Sequence, residues 1–123
     1  MSGHRLTADL LKADFDQGDP GSGGSITATG NWTVVEMISA GAEARSLKDP
    51  VKSGQIIVLT LKTNGGTVTV TAATAYNKGG DTTLAFDAAL ETIILVSIPN
   101  GTSGYRWSSL GVETGTEDTP TFG

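Results

Sequence analysis

At 123 residues the chain is the size of one domain, able to bury a single modest core. Aromatic residues make up 6% and charged residues 17%, glycine reaches 17 and threonine is about as abundant, a balance that fits a small β domain with generous loops and argues against a helix-rich protein. The net charge of −5 leaves no Lys/Arg cluster to neutralise phosphates, which argues against nucleic-acid binding, and the absence of cysteine removes any disulfide framework or thiolate metal site.

Residues 1–24 read as an N-terminal arm and linker. Thr7 is placed to cap a helix of about two turns with Leu10, Leu11 and Phe15 on one side, which is either a frayed terminus or an arm that docks on another subunit. Asp9 and Asp14 interrupt any secretory apolar core, and the sequence reads as made and kept in the cytoplasm until it joins a partner. Residues 16–25 are a flexible Gly/Ser linker by composition. Asp14, Asp16 and Asp19 suggest a calcium loop, but they lack the bidentate glutamate and the regular ligand spacing.

Residues 25–110 carry the β pattern. Ile26 to Thr29 alternates weakly, and in Trp32 to Ile38 the residues Trp32, Val34, Glu36 and Ile38 alternate with Thr33, Val35 and Met37. Residues 40–47 fit a helical turn or a short edge strand. Gln55 to Ala73 reads as the central hairpin: two period-two runs joined by Asn64-Gly65-Gly66, a turn expected to need positive φ. Its first strand and Thr92 to Ile98 are aliphatic on both faces, which places them in the middle of the core, while Thr67, Thr69 and Thr71 form a polar face suited to solvent or to another subunit. Residues 74–81 are a polar connection in which Tyr76 is the ring expected to be most exposed. Thr83 to Phe86 is a short strand, and Ser103 to Leu110 closes the pattern with Tyr105 and Trp107 on one face. The tail, residues 111–123, reads as a loose extension. The expected fold is all-β: a compact antiparallel β-sandwich or small barrel of about seven strands with an N-terminal arm and a C-terminal tail.

The single histidine, His4, lies in the loose N-terminus, so no triad can be assembled on a rigid scaffold. Glu36, Asp81, Asp87 and Glu91 are the carboxylates available for glycosidase-like chemistry, but spacing alone identifies no pair. Residues 21–24, GSGG, lack the lysine of a phosphate loop. Trp32 and Trp107 suit core or interface packing, with sugar stacking as the alternative. No catalytic residue, cofactor or metal is expected.

Residues 51–107 combine GQIIVLTLKTNGGTVTVTA, AYNKGGDTTLAF and ETIILVSIPNGTSGYRW. This order of features resembles the head decoration (cement) proteins of tailed bacteriophages. The resemblance implies a non-catalytic structural virion protein, commonly a homotrimer, that binds the major capsid protein on the outer capsid surface and reinforces capsomer contacts. Phage tail and fibre domains share the same Thr/Gly-rich manner, and a carbohydrate-binding module is the further alternative. The arm residues Leu10, Leu11 and Phe15 are the expected partner-binding group.

Overall fold

The computed structural model describes residues 16–109 and 119–123. The described residues form ten strands and no helix: β1 (Asp16–Gln17), β2 (Ser25–Ile26), β3 (Trp32–Ile38), β4 (Glu43–Leu47), β5 (Ile56–Thr63), β6 (Val68–Ala72), β7 (Thr83–Phe86), β8 (Thr92–Pro99), β9 (Tyr105–Ser109) and β10 (Thr121–Phe122). They make two mixed sheets, which do not close into a barrel. Sheet A has the order β1-β3-β5-β8-β9, and sheet B the order β10-β7-β6-β4-β2.

The chain alternates between the sheets through its first six strands, so successive strands do not pair with each other. β1, β3 and β5 line up parallel in sheet A, with Val34 opposite Asp16 on one side and Val58 on the other. β2, β4 and β6 line up parallel in sheet B, with Ser46 opposite both Ser25 and Thr71. Each strand pair β1–β2, β3–β4 and β5–β6 is therefore one coil, with a pass in each sheet, and the three coils stack. The rest is antiparallel: β7 on β6, β8 on β5, β9 on β8 and β10 on β7.

This corrects the central hairpin. β5 and β6 lie in different sheets, and Asn64-Gly65-Gly66 is the corner between them. Neither glycine has positive φ. They are needed because this corner stacks against the corner of the preceding coil: a Cβ on Gly65 would meet the backbone of Ser39 and Ala40, and one on Gly66 that of Gly41 and Ala42. Ser39 stitches the two corners, its hydroxyl donating to Gly66 O at 2.8 Å and accepting from Gly65 N at 3.0 Å.

Period-two alternation sends one side of each strand into a single core. Sheet A contributes Val35, Met37, Ile57, Leu59, Leu61, Ile93, Leu95 and Trp107, and sheet B Ile26, Leu47, Val68, Val70, Ala72, Leu84 and Phe86, all buried. Each large side chain taken fully out of water contributes about 1.5–3 kcal/mol.

Four further expectations change. The 40–47 segment is neither helical nor an edge: β4 sits between β2 and β6. The antiparallel arrangement holds only for the later strands, because parallel pairs build the first part of both sheets. The linker expected over residues 16–25 is instead part of the fold, with β1 and β2 in the sheets and Gly23 N donating to Ala44 O. The end of the tail is β10, a strand of sheet B, where the Phe122 ring packs 5.6 Å from that of Tyr76.

Candidate interaction surface

The side chains that point away from the core differ sharply between the sheets. On sheet B they are Ala44 and Ser46 of β4, Thr69 and Thr71 of β6, and Thr83 and Ala85 of β7, small and mostly hydroxylated. On sheet A they are Trp32, Val34, Glu36 and Ile38 of β3, Ile56, Val58, Thr60 and Lys62 of β5, and Thr92, Ile94, Val96 and Ile98 of β8.

The strand register assembles the latter set into rows. Trp32 lies opposite Ile56, which lies opposite Val96; Val34 lies opposite Val58, which lies opposite Ile94. The next row is polar: Glu36, Thr60 and Thr92, with the Thr92 hydroxyl 2.7 Å from that of Thr60. Lys62 Nζ reaches Glu36 at 3.6 Å. The outer surface of β3, β5 and β8 is thus a largely aliphatic field whose two charges, on Glu36 and Lys62, offset each other. Within one chain the aliphatic residues of β5 and β8 are half-buried by their neighbours, while Trp32 is 42% and Ile38 52% exposed.

β5 and β8 are accordingly central in sheet A but buried on one face only, where burial on both faces was expected. The described residues form two layers around one core, and no third layer among them covers the outer side. The aliphatic runs were the signal that could have found this face, because a two-layer domain of this length cannot bury both sides of two strands at once.

A second polar group closes the open end of the coil stack. Arg45, turned inward between the exposed Ala44 and Ser46, has a fully buried side chain. Its guanidinium donates to Asp19 through Nε at 2.7 Å and Nη2 at 2.9 Å, and meets Glu43 at 3.1 Å. Asp19 also accepts from Ile38 N and Gly21 N. Burial alone would raise the Asp19 carboxyl, but these hydrogen bonds outweigh it and hold the group below the usual carboxylate range. Asp19 is therefore engaged in an ion pair and not aimed at a cation. Among the described residues no three His/Cys/Asp/Glu side chains gather as a metal site. Asp14 lies outside the described residues.

The other candidates fall in separate places. Glu36 is on the outer face of sheet A. Asp81 accepts from Asn77 Nδ2 at 2.9 Å in the β6–β7 loop. Glu91 Oε1 accepts from the backbone N–H groups of Asp87 and Ala88, tying the β7–β8 corner; burial, then the neighbouring Asp87, pushes its carboxyl up. Trp107 is buried and donates Nε1 to Lys48 O at 2.9 Å. Tyr76, expected to be exposed, is fully buried with its hydroxyl 3.3 Å from Val70 O, and burial pushes its phenol well above the usual value. Leu10, Leu11, Phe15 and His4 lie outside the described residues, and no helix among those described is long and apolar enough to cross a membrane. No protein-family model, curated protein or solved structure matches this chain, so the outer face of sheet A is the feature from which a function is read.

Proposed function

We propose that the protein is a structural virion component, a decoration or cement protein that binds the outer surface of a bacteriophage capsid as a homotrimer and stabilises capsomer contacts without catalysis. The observation that carries the reading is the aliphatic field of Trp32, Val34, Ile56, Val58, Ile94 and Val96 on the solvent side of sheet A. Such a surface costs solubility in a free monomer and contributes when covered by another protein. The Thr/Gly-rich order of residues 51–107, which resembles head decoration proteins, supplies the kind of partner, the major capsid protein.

Peptide mass spectrometry of purified phage particles carrying this gene tests the proposal. The expected result is a stoichiometry of hundreds of copies per particle, in the head fraction after heads and tails are separated. Recovery only with tails would make it a tail or fibre component, and absence from particles would overturn the reading.

A further inference from the structure

We infer that Asn100, in the β8–β9 loop, is a site of spontaneous deamidation in the folded protein, and that the same dipeptide at Asn64 is held unreactive by the fold. The chain contains two Asn-Gly steps, Asn64-Gly65 and Asn100-Gly101. Both have the composition the reaction needs, because glycine has no side chain to hinder its own nitrogen and leaves the backbone free to rotate toward the asparagine amide. Their surroundings differ.

The reaction needs only water. The Gly101 nitrogen gives up its proton to a solvent base and attacks Asn100 Cγ. The new C–N bond closes a cyclic succinimide, the Cγ–Nδ2 bond breaks, and Nδ2 takes up a proton and leaves as ammonia. Water then opens the ring. Attack at Cγ restores the normal backbone with an aspartate, and attack at the main-chain carbonyl carbon gives isoaspartate, in which the chain runs through the side chain. Either way one amide becomes one carboxylate, nothing is oxidised or reduced, and the net charge moves one unit down from −5.

Asn100 is placed to follow this path. Its loop is exposed and is held by main-chain bonds from Asn100 N to Gly104 O at 3.0 Å and from Ser103 N to Asn100 O at 3.2 Å. Neither bond uses the reacting atoms. Among the described residues nothing bonds the Asn100 side chain or the Gly101 N–H, and the space beside Gly101, at φ 61°, is open. Asn64 is exposed as well, so exposure does not separate the two. Its groups are committed instead: Nδ2 donates to Asp87 O at 3.1 Å, Oδ1 accepts from Gly66 N at 3.0 Å, and the nucleophile itself, Gly65 N, donates to Ser39 Oγ at 3.0 Å. Ser39 Oγ is fixed in turn on Gly66 O at 2.8 Å. Turning Asn64 Cγ onto Gly65 N breaks these bonds and pushes apart two corners that already touch through their backbones. Hydrogen bonds of ordinary net strength, lost together, slow the reaction at least about tenfold.

The fold also places the consequence. The β8–β9 hairpin shares its end of the sheets with the β4–β5 connection and the β6–β7 loop: Ser97 Oγ donates to Lys52 O, Trp107 Nε1 to Lys48 O, and Arg106 Nη1 reaches Tyr76 O. Lys48, Lys52, Lys78 and Arg106 therefore gather at this end, and the new carboxylate lowers the positive charge there.

Peptide mapping of the whole folded chain, incubated at mildly alkaline pH and sampled over weeks, tests the inference without regard to what the protein binds. Trypsin cuts after Lys62, Lys78 and Arg106, so residues 63–78 carry Asn64 and Asn77, which fragment ions distinguish, and residues 79–106 carry Asn100 as their one amide side chain. Asn100 should convert at least about tenfold faster than Asn64, give isoaspartate as well as aspartate, and react faster as pH rises, because the nucleophile is the deprotonated nitrogen. In urea the two rates should converge. Ser39→Ala removes the acceptor on Gly65 N and should speed Asn64 severalfold while leaving Asn100 unchanged. Equal rates at the two sites in the folded chain, a faster rate at Asn64, or an Asn100 peptide that stays intact when folded and reacts in urea would overturn the inference. An Asn64 rate unmoved by Ser39→Ala would overturn the protection assigned to that hydroxyl.

Discussion

Residues 16–72 and the later described residues, 83–109 and 119–122, are built from the same period-two strands and share one core, yet they connect in different ways. In the first region the chain changes sheet after every strand and the neighbours are parallel. In the second, β6–β7 and β8–β9 are true hairpins, and the chain changes sheet between β7 and β8 and again between β9 and β10. Glycine is used in two ways. Gly80, Gly101 and Gly104 in the hairpin loops and Gly21, Gly23 and Gly54 in sheet-changing connections hold positive φ, whereas the corner of Asn64-Gly65-Gly66 has none and uses glycine so that the backbones of successive coils can touch.

The largest expected effect asks whether the two regions are one cooperative unit. Trp107 sits in the antiparallel region but donates its indole N–H to Lys48 O, on the connection between β4 and β5. Trp107→Ala should cost about 3–5 kcal/mol. A single denaturant transition with a lowered midpoint and an unchanged m-value is expected. Two separated transitions would mean that the coils and the antiparallel strands unfold independently, breaking the single-core description.

Next in size is the ion cluster that closes the coil stack. Asp19→Ala leaves the buried Arg45 with Glu43 as its remaining carboxylate partner and should cost about 3 kcal/mol at neutral pH. The pH dependence has a definite sign. The folded-state pKa of Asp19 is lowered, so its contribution is present above the ordinary aspartate value of about 3.9 and is lost as pH falls through the lowered folded value. Thermal unfolding of wild type and variant should therefore converge as pH drops below about 3.9. Glu91 works the other way: its raised pKa adds stability in acid that is lost as pH rises through that value. A gap between wild type and Asp19→Ala that stays constant from pH 7 to pH 2 would show that the carboxylate charge is not what holds the coil end.

A paired substitution separates the two uses of glycine. Gly66→Ala forces a Cβ into the backbone of Gly41 and Ala42 and should cost about 2 kcal/mol, because a neighbouring coil must shift. Gly101→Ala meets open space and carries only the conformational cost of φ 61°, about 1 kcal/mol. Chemical denaturation of the two variants decides it, and the reverse order would argue that the corner stacking is loose.

The longer strands were legible in the sequence, while β1, β10 and the partners of every strand were not. Trp32 to Ile38 and Thr83 to Phe86 are read with their observed bounds, because alternation of apolar and polar residues reports which face is wet. Alternation carries no information about which strand lies alongside. Asn64-Gly65-Gly66 between two alternating runs satisfies the chemistry of a hairpin as well as that of a corner, and the difference lies in Ser39 to Ala42, about 25 residues earlier and invisible to a local reading. The ion pair of Asp19 was not legible for a similar reason: a carboxylate in a Gly/Ser stretch suggests a solvated group or a calcium ligand until Arg45 is brought to it from 26 residues away. Tyr76 was misplaced because its polar loop neighbours say nothing of β10, whose Phe122 comes from the far end of the chain to cover it. The outer face of sheet A was half legible. Its residues were named as strand-forming aliphatics, but assigning both sides of β5 and β8 to the core required a third layer.

The smallest effect, of opposite sign, concerns the β7–β8 corner, where the chain passes from sheet B to sheet A. Leu90 holds φ at 73° and is 73% exposed, with its N–H donating to Leu61 O at 2.6 Å. A left-handed conformation costs a non-glycine residue about 1–2 kcal/mol, and a side chain this exposed recovers little by burial. Glycine removes that strain but loses about 0.5–1 kcal/mol to the greater freedom of the unfolded chain. Leu90→Gly should therefore stabilise the isolated chain by about 0.5 kcal/mol, read as a small rise in melting temperature at low concentration. Leu90→Asn supplies the control, since asparagine tolerates the left-handed region without the entropy of glycine, and it should gain at least as much. If both variants lose stability only at concentrations where copies associate, Leu90 is held in its strained position by a contact between copies. If they lose it at every concentration, the leucine packs within its own chain and the strain is offset there.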